Sequence, residues 1–190
     1  NCSFNKLTSL DVSKNTDLTN LNCRDNQIRT LDISKNTALK GLDCGYNKLT
    51  SLNVSKTTTL TSLKCGGNNL TYLDVSKNTA LTLLGCIANK LTSLDLSNNT
   101  ALTSLRCYGN NFTSIDVSNN NALTELHCGN SNFDSKLNSL DVSKNTALTS
   151  LRCEGNNLSS LDVSNNIALT ELYCYDNKLN SLDLSKNTAL

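Results

Sequence analysis

The sequence has no proline, no methionine, no tryptophan and a single histidine. That leaves little material for a conventional active site, because acid/base catalysis most often rests on histidine. Aromatic residues make up 4% of the 190 residues. No run of about 18 apolar residues occurs, which excludes a membrane-spanning helix. The apolar stretch of a secretory leader is missing too, and the chain starts at Asn1. It therefore reads as a processed form or a piece of something longer. Excess charge is also lacking: 17 basic groups face 16 acidic ones, for a net +1. Nucleic-acid binding needs a concentrated basic face, and this balance argues against one.

What is abundant is asparagine, with 31 residues, and it is periodic. Leu10-Asp11-Val12-Ser13-Lys14-Asn15 returns 21 residues later as Leu31-Asp32-Ile33-Ser34-Lys35-Asn36. The motif recurs from Leu52, Leu73, Leu94 and Ile115, then after a 25-residue step from Leu140, Leu161 and Leu182. Such self-similarity marks a solenoid. The expectation is one array over residues 1–190, about eight 21-residue coils with one 25-residue coil around 115–139 and partial coils at both ends. In Leu105-Arg106-Cys107 alternate residues are apolar, which is the period of a half-buried strand. Burying one such side chain contributes roughly 1.5–3 kcal/mol. Ordering one backbone residue costs about 1–2 kcal/mol. Over one coil these nearly cancel, so stability has to come from stacking.

The segment from Leu102 to Phe112 reads L-x-x-L-x-C-x-x-N-x-F. This resembles the leucine-rich-repeat family, and most closely its 21-residue bacterial subclass, sometimes called IRREKO, with cysteine at the sixth position. The resemblance covers the whole chain. It implies a right-handed solenoid with a parallel sheet on the concave side, short strands or turns on the convex side, and recognition rather than catalysis.

Cys2, Cys23, Cys44, Cys65, Cys86, Cys107, Cys128, Cys153 and Cys174 share one inward slot and are expected to be buried. They read as a ladder of small hydrophobes. In-register thiols on parallel strands point the same way, which suits neither a disulfide nor a metal site. Three residues on, Asn5, Asn26, Asn47, Asn68, Asn89, Asn110, Asn156 and Asn177 are placed to bond backbone left unpaired by the bend. Ser131 breaks this ladder in the longer coil, where Asn130 or Asn132 is expected to substitute. The invariant serines from Ser13 to Ser185 read as caps of a single helical turn. The aspartates from Asp11 to Asp183, with Asn53 the exception, are expected to accept bonds from backbone N–H groups. A calcium ladder would carry a glycine-rich signature that is absent. No cofactor and no metal is expected.

Positions fixed in every coil are scaffold, so function is expected where coils differ. Those slots are the outward strand residues and the two residues after each cysteine. The candidate ligand-binding residues on the concave face are Tyr46, Lys64, Arg106, Tyr108, Glu125, His127, Arg152, Glu171, Tyr173 and Tyr175. Exposed tyrosine offers flat area with a hydroxyl, suited to sugar faces or protein contacts. Tyr173 and Tyr175 are i, i+2 on one strand face, with Tyr108 roughly 14 Å away at the strand spacing. Gly66, Gly67, Leu83, Gly85, Ile87 and Ala88 form a small, partly apolar floor flanked by Lys64 and Arg106. The insertion Gly129–Lys136, with Phe133, is read either as a wall on one side of the tyrosine–arginine cluster or as a neutral surface bulge. Glu154 and Glu171 lie one coil apart, but an open sheet lacks the closed pocket that acid/base chemistry needs. The chain is thus read as a non-catalytic binding module of a secreted or cell-surface bacterial protein. Its palette leans toward a polysaccharide ligand. Recognition of, or adhesion to, an extracellular protein is the alternative, and a structural spacer the second alternative. Neither terminal coil is polar, so flanking sequence caps the array or its ends associate with another copy.

Overall fold

The computed structural model describes residues 1–130 and 136–190. Among them are eight strands of three residues: β1 Asn20–Asn22, β2 Gly41–Asp43, β3 Ser62–Lys64, β4 Leu83–Gly85, β5 Ser104–Arg106, β6 Glu125–His127, β7 Ser150–Arg152 and β8 Glu171–Tyr173. They form one parallel sheet in chain order. Equivalent residues pair without slippage, so Asn22, Asp43, Lys64, Gly85, Arg106, His127, Arg152 and Tyr173 make one continuous row. No described residue is helical. Between strands the chain winds once around the core, and parallel crossovers of this kind are right-handed. The protein is a solenoid of stacked coils with one parallel sheet.

The core is built from the repeat. The central leucine of β2 to β7 and the cysteine that follows each of these strands are buried. All nine cysteines are free thiols. Burial pushes the Cys86 and Cys128 thiols up to about 12, so they carry no thiolate at neutral pH. Cys2 and Cys174, in the outermost coils, depart from the expectation and are half-exposed.

The asparagine after each cysteine works as expected. Asn89 accepts a bond from Leu70 N–H (3.0 Å) and donates to the carbonyls of Cys65 (3.1 Å) and Cys86 (3.1 Å). It ties two coils together at one buried point. In the longer coil Asn130 donates to the Asn110 carbonyl (3.3 Å). Ser131, Asn132 and Phe133, and with them the expected wall of the insertion, lie outside the described residues.

The serines do not cap helical turns. Ser13 N–H donates to Asp11 Oδ1 (2.9 Å), and the same bond recurs through Ser185 and Asp183 (2.8 Å). The aspartate is therefore the capping group, of a four-residue turn closed by Asn15 N–H and the Val12 carbonyl (2.9 Å). The serine backbone N–H holds each of these carboxyls below its ordinary pKa. A second buried ladder was not anticipated. Asn36, Asn78, Asn99, Asn120, Asn145, Asn166 and Asn187 each donate to two carbonyls of the preceding coil, as Asn78 does to Val54 (3.1 Å) and Thr57 (2.8 Å). Thr57 interrupts it, and its hydroxyl bonds Val54 within its own coil (2.9 Å). Thr59, where the first coil has Asp17 and the others have alanine, reaches back instead to the Thr37 and Leu39 carbonyls.

Candidate functional site

Because side chains alternate along a strand, the first and third residues of each strand share the outward face. In β5 and β7 those residues are Ser and Arg, and in β6 and β8 they are Glu followed by His or Tyr. Parallel pairing sets each Ser-Leu-Arg beside a Glu-Leu-aromatic. Ser104 donates to Glu125 Oε2 (2.6 Å), while Arg106 Nε (3.0 Å) and Nη2 (2.7 Å) both reach Glu125 Oε1. His127 Nε2 lies 3.1 Å from the same oxygen. One repeat on, Ser150 donates to Glu171 Oε2 (3.0 Å), with Arg152 Nη2 at 3.9 Å.

Burial works against the Glu125 carboxylate, but the Ser104 and Arg106 hydrogen bonds outweigh it and hold its pKa below the ordinary value. Burial lowers the pKa of His127. Arg152 and Arg106 add to that, and Glu125 opposes it. His127 is consequently neutral at pH 7, beside a carboxylate already paired with Arg106.

Arg106, Glu125, His127, Ser150, Arg152 and Glu171 line a cleft of about 650 Å³ together with Tyr108, Thr124, Thr149 and Glu154. Glu154 lies across Gly129, where an added Cβ would come within 2.7 Å of its carboxyl carbon. Of the candidates read from the sequence, Arg106, Tyr108, Glu125, His127, Arg152 and Glu171 come together here. Tyr173 borders the cleft, its ring covered by the Arg152 guanidinium at 4.3 Å. Tyr175 lines no described cleft. Tyr46 and Lys64 belong elsewhere, to a smaller cleft of about 270 Å³ over β2 to β5. Ser104 and Ser150 were missed, although a serine two residues before each arginine was visible in the sequence.

The third variable row is less free than its variability implies. Asp25, Tyr46, Ala88 and Asp176 have φ of 57, 52, 48 and 56°, and Gly67, Gly109 and Gly155 also have positive φ. This slot must adopt the left-handed conformation to turn the chain toward the buried asparagine, and glycine does so at least cost.

No family model matches the chain, and no curated protein does. Among solved structures, the functional domain of InlJ from Listeria monocytogenes, which includes a cysteine ladder, superposes with a TM-score of 0.90 and 46% identity. That match covers 94% of this chain and 39% of the InlJ chain, so the sequence spans well under half of that protein's length. A leucine-rich-repeat protein of Leptospira interrogans matches at TM-score 0.88 and 23% identity, over 98% of this chain and 51% of its own. Internalin C2 of L. monocytogenes matches at 0.82 and 23%, over 93% and 80%. At that identity the last two speak for the fold alone. Coil length, cysteine ladder and sheet all agree: the chain belongs to the bacterial leucine-rich-repeat proteins built on a 21-residue coil.

Proposed function

We propose that this chain is a non-catalytic recognition module of an extracellular or surface protein, and that its sheet face binds a protein partner through the cleft over β5 to β8. The observation that carries this reading is the charge network. Two arginines, three glutamates and a histidine converge in one cleft. Ser104, Arg106 and Ser150 fix Glu125 and Glu171 before any ligand arrives, and Arg152 Nε and Glu154 Oε2 are buried without a hydrogen-bond partner among the described residues. Such preorganised side chains complement the mixed charges of a protein surface and add specificity. The Tyr173 ring is already occupied by Arg152, which removes one stacking face from a sugar.

A polysaccharide is the second reading. Tyr108 and Tyr175, 43% and 60% exposed, favour it.

The test is binding to an array of purified extracellular proteins, with affinities measured for Arg152→Ala, Tyr108→Ala and, as a control off the sheet face, Tyr72→Ala. Loss of about tenfold or more for the first two, and none for the third, is expected of a central contact. Equal affinity in all three removes the reading. Retardation in a polysaccharide gel that is lost on Tyr108→Ala, with no protein bound, replaces it with the second.

A further inference from the structure

The smaller cleft is a different kind of site, and its floor is Gly85. Glycine is accounted for at its neighbours. A Cβ on Gly66 would come within 2.5 Å of Ile87 Cγ1, and one on Gly67 (φ 67°) within 2.8 Å of the Tyr46 ring. At Gly85 a Cβ would meet only Lys64 Cγ at 3.8 Å and the Leu63 carbonyl at 4.0 Å, which is ordinary contact. Nothing inside the protein requires glycine there. The same slot in the flanking strands holds Lys64 and Arg106, both long. Gly85 therefore leaves a hollow one side chain deep in the middle of the outward face. Its surroundings are apolar: Leu83 replaces the serine found at its slot in β3 and β5, and Ile87 lies across Gly66. Its rim is cationic. Arg24 and Lys64 line the cleft against the single carboxylate of Asp43, which accepts a bond from Gly45 N–H (3.1 Å), while Arg106 at its far side is paired with Glu125. Lys64 makes no ion pair among the described residues.

We propose that this hollow is a second docking site, for a polypeptide segment that inserts an aliphatic or aromatic side chain over Gly85 and sets a neighbouring carboxylate on Lys64. The proposal rests on the protein-recognition reading above and names the chemistry of the segment. Charge complementarity chooses it. An apolar side chain fills the hollow, and an adjacent acid meets the excess positive charge at the rim.

The experiment selects a random-peptide display library on the full chain and measures the enriched peptides on three variants. Gly85→Arg fills the hollow with a residue the same slot already carries in β5 and β7, keeping the rim cationic. Lys64→Glu leaves the hollow open and reverses the charge. Arg152→Ala touches only the larger cleft. The proposal expects peptides with Asp or Glu within two positions of a large apolar residue. Their affinity should fall about tenfold or more on both Gly85→Arg and Lys64→Glu and stay unchanged on Arg152→Ala, with thermal unfolding of Gly85→Arg close to that of the parent. Enriched peptides that are basic, or that bind Gly85→Arg as well as the parent, overturn it. If every enriched peptide depends on Arg152 alone, the second site falls and the recognition reading stands. If nothing is enriched, both fall.

Discussion

The two clefts occupy the same rows of the same sheet and are made from the same slots, yet they have opposite characters. Over β5 to β8 the slots hold arginine, glutamate and histidine, and Arg106 and Arg152 each face a glutamate of the following strand. Over β2 to β5 they hold glycine, leucine and lysine, and positive charge is left over. Arg106 stands between them and lines both. Since the register never slips, residues in the same slot of successive coils become neighbours, and Leu83, Gly85 and Ile87 make a hollow apolar floor where Ser104, Arg106 and Tyr108 of the next coil make a polar one.

The broadest way to break the comparison is to remove what the clefts share. Asn89 ties the coil of β4 to the one before it, at the boundary of the two sites. Asn89→Ala would leave the buried Leu70 N–H without a partner, at a cost of about 1–3 kcal/mol, and would take one of two asparagine donors from each of the Cys65 and Cys86 carbonyls, which keep Asn68 and Asn110. We expect a loss of about 2–3 kcal/mol. Asn5 occupies the same slot in an outer coil, is exposed, and its side chain bonds only carbonyls of its own coil. Asn5→Ala should cost under about 1 kcal/mol. Urea unfolding followed by circular dichroism checks the pair, and similar midpoints for both variants would remove the ladder as the main polar tie between coils.

A smaller effect separates the clefts by pH. His127 lies in the larger cleft, and the smaller one contains no histidine. Burial lowers the folded-state pKa of His127. The unfolded chain therefore takes up a proton first as pH falls below about 6.5. Stability from this group is fully present above the unfolded pKa and is lost as pH falls through the folded one. Titration from pH 7.5 to 5 should move the amide resonances of Glu125, His127 and Arg152 and leave those of Gly66, Gly85 and Ile87 in place. It should also lower the unfolding midpoint of the parent more than that of His127→Gln.

Much of this was legible in the sequence. The 21-residue period fixes the coil, and strand alternation fixes which residues face out, so six of ten site candidates fell into one cleft. What the period could not disclose is which variable slots are free. Asp25, Tyr46 and Ala88 looked interchangeable, but the backbone there is left-handed. The second asparagine ladder stayed hidden because Asn36 and its equivalents sit among polar turn residues, where sequence gives no sign of burial. Lys64 was legible as a flank of the partly apolar floor at Gly66, Leu83, Gly85 and Ile87, and Tyr46 lies beside it, since about 4.8 Å per strand carries both out of reach of Arg152.

The left-handed slot gives the finest test. Ala88 and Tyr46 both hold this conformation, at φ 48 and 52°. For a residue with a Cβ it costs roughly 1–2 kcal/mol. Glycine relieves that cost and returns part of it as extra freedom in the unfolded chain. Ala88→Gly should therefore stabilise by about 0.5–1 kcal/mol. Ala88 lines neither cleft, so peptide binding should not change. Tyr46→Gly gains the same backbone relief but removes the ring that packs on Gly67 and under Arg24, whose guanidinium lies 4.4 Å from its centre. Its net stability should stay near that of the parent, while peptides specific for the smaller cleft lose affinity. Were Tyr46→Gly more stable than the parent and still able to bind them, Tyr46 would be turn strain without a function, and the smaller cleft would reduce to the hollow at Gly85.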